Sequence, residues 1–171
     1  MKKLEENIFL IGFMGAGKST IAAELEQQLH IPRAEMDALI VERENMAIAD
    51  IFAEKGEDYF RDAETALLKD LTEKKGIIIS CGGGAVMRDE NAALMKQCGK
   101  IVLLTATPET IYERVKDSTD RPILNGNMNV DYIRELMEKR KERYLAVADV
   151  VVATDTKGAE EITREILAAF A

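Results

Sequence analysis

Two cysteines, Cys81 and Cys98, and one histidine, His30, are all the chain offers of the side chains that staple secreted domains or bind transition metals. Two thiols make no disulfide framework and no paired metal-ligand spacing is present, so a reducing, cytoplasmic setting is expected. His30, in the last turn of a predicted helix, reads first as a solvated residue complementing the helix dipole. Cys81 has no histidine near it in sequence and reads as a small core residue rather than a nucleophile. No apolar run approaches the length of a membrane span, and the basic start at Lys2 and Lys3 meets Glu5 and Glu6 at once, unlike a signal peptide. Positive charge is also scarce: 23 Lys and Arg against 31 Asp and Glu leave a net charge of −8. That argues against nucleic acid or a membrane surface as partner, and any anionic ligand must be held by specific residues. Repeats and low-complexity linkers are lacking too, so residues 1–171 read as a single domain.

What is present is a phosphate-binding loop. Gly12, Phe13, Met14, Gly15, Ala16, Gly17, Lys18, Ser19 and Thr20 fit glycine, four residues, glycine, lysine, serine or threonine. The loop follows the apolar run Ile8, Phe9, Leu10, Ile11 and precedes helical spacing at Ile21, Leu25 and Leu29. Its glycines let bare N–H groups converge on phosphate oxygens, and the helix aims its positive dipole end at the same point. Lys18 is placed to reach the β- and γ-phosphates, and the Ser19 hydroxyl to sit on Mg²⁺.

Pro32 ends the first helix, and residues 33–37 read as a strand end on which Glu35 and Asp37, two apart, face the same way. Residues 38–73 read as three helices with breaks near Asn45 and Gly56. In the last, Arg61 and Glu64 can pair across one turn, by default a solvated surface contact. The apolar run 77–81 is a buried strand leading into Gly82, Gly83 and Gly84, where a backbone approached closely by a ligand is expected. A helix over about 89–97 leads to a strand at 101–104, and Pro108 opens a helix with Arg114 in its last turn. Residues 116–129 are polar and rich in turn formers, the best candidate for a mobile lid, with Arg121 in the middle. Helical spacing returns over 130–147, where Arg140 lies on the polar side in a basic run whose default reading is a solvated face. A last strand at 149–153 and a closing helix complete an alternating pattern that implies a parallel α/β sheet covered on both faces.

The phosphate loop, the strand-end acids, the stretch Phe60, Arg61, Asp62, Ala63, Glu64, the triple glycine, Arg121-Pro122 and the late Arg140 occur in an order that resembles the shikimate kinase family over nearly the whole chain. The resemblance implies a P-loop NTPase fold of the nucleoside monophosphate kinase type, with a five-stranded parallel sheet and a mobile lid. It implies transfer of the ATP γ-phosphate to the 3-hydroxyl of shikimate, with Mg²⁺, on the way to chorismate and the aromatic amino acids. By the same resemblance Gly12, Gly15, Ala16, Gly17, Lys18, Ser19, Thr20, Arg114 and Arg121 bind the nucleotide, with Arg114 against adenine and Arg121 closing on the transferring phosphate. Asp37 grips ring hydroxyls and orients or deprotonates the attacking oxygen, making Lys18, Asp37 and Arg121 the catalytic set. Arg61 and Arg140 take the carboxylate, Glu64 holds Arg61, and Gly82, Gly83 and Gly84 bring backbone against the ring. Ser19 and Glu35 are the implied metal residues, and the substrate segment spans about 35–64.

Three positions depart from the family pattern. Glu35 stands for the usual aspartate, Ala22-Ala23 for a glycine-arginine pair, and Glu142-Arg143 for a proline-leucine pair before Tyr144. Gluconate and nucleotide kinases share the loop, and a catalytically weakened ligand-binding regulatory domain is a further alternative. The triple glycine and two separated arginines suit a cyclic carboxylate better, and 38–75 is short for a base-binding insertion. A monomer or weak homodimer is expected.

Overall fold

The structure, a computed structural model, describes residues 6–117 and 128–170. Five parallel strands, β1 Asn7–Ile11, β2 Arg33–Glu35, β3 Ile78–Ser80, β4 Gly99–Thr105 and β5 Val150–Ala153, lie in the order β2-β3-β1-β4-β5. All five residues of β1 are buried, which is why it reads as an unbroken apolar run instead of an alternating one. Asn7 is the polar exception: its side chain donates to Lys74 O at 2.9 Å and accepts from Ile77 N at 3.1 Å, pinning the start of β1 to the approach of β3.

Among the described residues eight α-helices connect and close the sheet: α1 Lys18–Leu29, α2 Met36–Glu44, α3 Ile48–Lys55, α4 Glu57–Leu71, α5 Asp89–Cys98, α6 Pro108–Val115, α7 Val130–Val147 and α8 Ala159–Ala169. From β1 the chain crosses outward to β2 and then works back through β3 to β4 and β5. With right-handed crossovers that reversal puts α1 on one face and α4, α5 and α7 on the other, and α8 returns to pack on α1. The breaks expected near Asn45 and Gly56 are there; Asn45 ends α2 with φ 53° and Gly56 separates α3 from α4 with φ 88°.

Several strand boundaries differ from expectation: β4 runs Gly99–Thr105 where 101–104 was expected, and β5 starts at Val150 instead of 149. The strand expected over 77–81 contracts to Ile78–Ser80. β2 stops at Glu35, and Asp37 falls in the first turn of α2, where its carboxylate complements the helix dipole. Asp37 and Glu35 therefore do not share a strand face. Residues 118–127, which hold Arg121 and most of the expected lid, lie outside the described residues. Among the described residues no helix is long and apolar enough to cross a membrane.

Candidate active site

Carboxyl ends of neighbouring strands whose connections diverge leave a crevice, and β1 carries the phosphate loop into it. Gly12 leaves the strand with φ 147°, and a Cβ there would stand 2.4 Å from Leu104 O, so the close approach of β4 requires glycine. Gly17 precedes α1 at φ 106°, a left-handed conformation that an L side chain rarely adopts. Lys18 Nζ donates to Gly12 O at 2.7 Å and Phe13 O at 3.1 Å, folding its ammonium over the loop.

The loop is also braced from behind. Arg114, on the last turn of α6, donates through Nη1 to Gly15 O at 2.8 Å and to Thr154 Oγ1 at 3.2 Å. Thr154, immediately after β5, donates its hydroxyl to Ala16 O at 2.8 Å. Ala16 itself turns inward: its methyl is buried and its N–H closes a turn on Phe13 O at 3.1 Å. In front of the loop, Ser19 Oγ donates to Glu35 Oε2 at 2.9 Å.

Beside the loop opens a cleft of about 520 Å³ that gathers Asp37, Arg61, Glu64, Gly82, Gly84 and Arg140, with Ile48, Phe52 and Phe60 as its apolar wall. Glu64 lies on the same stripe of α4 as Phe60, Leu67, Leu68 and Leu71 and is fully buried. Arg61 Nη1 donates to Glu64 Oε1 at 2.6 Å, its Nη2 lies 3.4 Å from Glu57 Oε1, and its guanidinium sits over the Phe60 ring. Burial pushes the Glu64 carboxyl above its ordinary value, and Arg61 opposes that rise. The Arg140 guanidinium lies 5.7 Å from the Phe13 ring centroid.

Each glycine of the triplet makes room for charged side chains. A Cβ on Gly82 would meet Glu64 Oε2 at 2.6 Å and Asp37 Oδ1 at 3.0 Å; on Gly83 it would meet Arg140 Nη1 at 3.3 Å; on Gly84, Arg61 Nη1 at 2.6 Å. The defaults of a solvated Arg61–Glu64 pair and a solvated Arg140 are thus overturned, because both arginines pack against the glycine turn and an aromatic ring.

A second cavity, of about 460 Å³, contains Gly15, Gly17, Lys18, Thr20 and Arg114. The two cavities share Met14, Ser19, Glu35, Asp37 and Gly83. Glu35 from the end of β2 and Asp37 from α2 reach this common boundary despite lying on different elements. Cys81 lines the second cavity from below; burial holds its thiol well above the ordinary range, as a core residue and not a nucleophile. Sequence reasoning overlooked Thr154, although a polar residue at a strand's carboxyl end is the signal to look for. Nor did it assign a contact to Tyr144, whose hydroxyl donates to Gly83 O.

A five-stranded parallel sheet in this order, with a phosphate loop joined to a cationic, carboxylate-edged pocket, defines a P-loop kinase of small molecules. A family model described as shikimate kinase matches residues 14–171. A shikimate kinase of Dehalococcoides mccartyi is 42% identical over 164 residues, 96% of this chain and 93% of its own. The solved structure of shikimate kinase from Acinetobacter baumannii in complex with shikimate superposes with a TM-score of 0.94 at 31% identity, covering 98% of this chain and 94% of that one. A gluconokinase from Sinorhizobium meliloti, at TM-score 0.58 and 18% identity over 98% of this chain and 93% of its own, shares the fold alone. The chain belongs to the shikimate kinase family, ATP-dependent enzymes that use Mg²⁺ and act on the route to the aromatic amino acids.

The residues present fit that cation. Ser19 and Glu35 offer only oxygen donors and already stand within hydrogen-bond distance of each other. Among the described residues no group of three or more His, Cys, Asp or Glu could hold a metal. A sparse oxygen set suits Mg²⁺, which keeps water and phosphate ligands of its own.

Proposed function

We propose that this chain phosphorylates the 3-hydroxyl of shikimate, with the acceptor in the 520 Å³ cleft and the ATP phosphates in the adjoining cavity. The observation that carries the assignment is the boundary the two cavities share at Ser19, Glu35 and Asp37, where a bound hydroxyl and a terminal phosphate would meet. That the Acinetobacter baumannii relative was solved in complex with shikimate supports the same acceptor.

Arg61 and Arg140 take the acceptor carboxylate, since guanidinium forks match a planar anion. Asp37 faces the ring hydroxyls. The hydroxyl oxygen attacks the γ-phosphorus while Asp37 accepts its proton; the new O–P bond forms as the bond to the β,γ-bridging oxygen breaks, and ADP leaves. Lys18 exchanges the carbonyls of Gly12 and Phe13 for phosphate oxygens and carries developing charge. Ser19 and Glu35 would hold Mg²⁺, which when bound would screen the phosphate charge. Arg114 lies against adenine, as the resemblance implies, and with Thr154 keeps the loop in shape; Arg121 is assigned to the transferring phosphate by resemblance alone. The Ser19–Glu35 contact supports a working metal site in spite of the longer acid, and hence an enzyme rather than a regulatory binder. A cytoplasmic single-domain protein, monomeric or weakly dimeric, completes the proposal.

A coupled ADP-release assay with shikimate, gluconate and AMP supplied separately tests it. Release that depends on shikimate alone is expected; release driven by gluconate or AMP overturns the acceptor assignment.

A further inference from the structure

The carbonyls of the five consecutive residues 82–86 are all engaged. Gly82 O accepts from Ala85 N and Gly84 O from Met87 N, both at 3.1 Å, closing the turn on itself. Ala85 O accepts from Asn91 Nδ2 at 2.8 Å. The remaining two are tied to α7: Tyr144 donates to Gly83 O, and Arg143 Nε donates to Val86 O at 2.7 Å. Arg143 Nη2 also lies 2.8 Å from Asp89 Oδ1.

Arg140, Arg143 and Tyr144 stand three and four apart and so share one face of α7. That face runs along the glycine turn, with Arg140 over Gly83 and Arg143 over Val86, just beyond it. Three glycines in a row bring no side-chain restraint of their own, so their placement against Arg140 depends on what grips the turn at either end. On the strand side, Cys81 N donates to Leu10 O at 3.0 Å. On the far side the grip is shared by Tyr144 on Gly83 O, Asn91 on Ala85 O and Arg143 on the carbonyl of Val86, a buried residue whose carbonyl, if left without a donor, would carry the cost of desolvation.

We propose that Arg143 is a positioning residue for the acceptor pocket, holding the Gly82–Gly84 backbone in register with the Arg140 guanidinium. The contact that matters is the charge-assisted bond to Val86 O. The Asp89 pair adds little, because the Asp89 side chain is 94% exposed.

The inference rests on the acceptor-pocket reading above, and the test separates the two. Steady-state kinetics with shikimate and ATP varied in turn, together with thermal unfolding, are measured for the wild type, Arg143→Met, Arg143→Lys, Asp89→Asn and Arg140→Met. For Arg143→Met, which keeps the apolar stem, the shikimate KM rises about fivefold or more, with kcat and the ATP KM within roughly twofold. Arg143→Lys, which retains a donor, recovers part of the loss, and Asp89→Asn matches wild type. An unchanged shikimate KM in Arg143→Met, or an equal rise in both KM values, overturns the proposal. If Arg140→Met raises the shikimate KM while Arg143→Met does not, only the role of Arg143 falls; if neither does, the pocket reading falls with it. Should Arg143→Met fail to fold, Arg143→Gln, an uncharged donor, replaces it in the same comparison.

Discussion

Arg61 and Glu64, one helical turn apart, form an ion pair of 2.6 Å in which Glu64 is fully buried and its Oε2 has no hydrogen-bond partner among the described residues. A buried pair of this kind is a poor source of stability and a good means of fixing one cation. Glu64 binds its proton more tightly in the folded chain than its ordinary value of 4.5 implies, so it favours folding fully below that value and loses the contribution as pH rises through its raised native value. Glutamine does not titrate. The melting temperature of wild type relative to Glu64→Gln is therefore highest below the ordinary value of 4.5 and declines as pH rises above it. A difference that grows with pH would mean that attraction to Arg61 outweighs burial.

Asp37 lies on the boundary between the two cavities, where only a proton acceptor or an orienting group is useful. Asp37→Asn is expected to lower kcat by about 100-fold or more while shifting the melting temperature by no more than about 2 °C. Single-turnover kinetics and a thermal melt check both halves, and an undiminished rate removes Asp37 from the chemistry.

Gly84 has φ −101°, which alanine adopts freely, yet a Cβ would stand 2.6 Å from Arg61 Nη1 and 2.7 Å from its Cζ. Gly84→Ala therefore displaces the guanidinium without straining the backbone, and the shikimate KM is expected to rise about tenfold with kcat less affected. Gly158, where an added Cβ meets nothing within 4 Å, supplies the neutral control. Equal kinetics for the two variants would refute the view that Gly84 is a notch for Arg61.

Glu35→Gln keeps an acceptor for the Ser19 hydroxyl but removes the charge that draws a cation. The Mg²⁺ concentration for half-maximal ADP release is expected to rise about tenfold, with a parallel loss of Mg²⁺-dependent nucleotide binding in calorimetry. Identical Mg²⁺ titrations would place the metal elsewhere.

Much of this was legible along the chain because the signals are local. Apolar runs mark β1, β3 and β4, and the glycine spacing marks the loop. Asn45 and Gly56 mark helix ends because each takes a positive φ there. The burial of Glu64 was not legible: beside Arg61 it reads as half of a solvated surface pair, and only the packing of α4 sets it on the buried stripe of Phe60, Leu67, Leu68 and Leu71. The position of Asp37 on a helix was not, since a three-residue strand and a helix start look alike over so short a span. Arg140 reads as one cation in a basic run, and only the crossing of α7 over Phe13 sets it apart. Tyr144 and Thr154 act on carbonyls 61 and 138 residues away, a pairing that no periodicity encodes.

The central place of β1 in the sheet has a consequence for how such a protein can diversify. Glu35, Asp37, Arg61 and the triple glycine belong to elements on the β2–β3 flank, while Arg114 and Thr154 belong to the β4–β5 flank. Arg140, from α7 between β4 and β5, is the acceptor-side exception, so on the proposed assignment acceptor and donor approach one strand tip mostly from opposite sides. Altering α2 through α4 while keeping Arg140 would then change which alcohol is accepted and leave the grip on the phosphate donor intact, so one scaffold can be refitted to new acceptors largely from one flank.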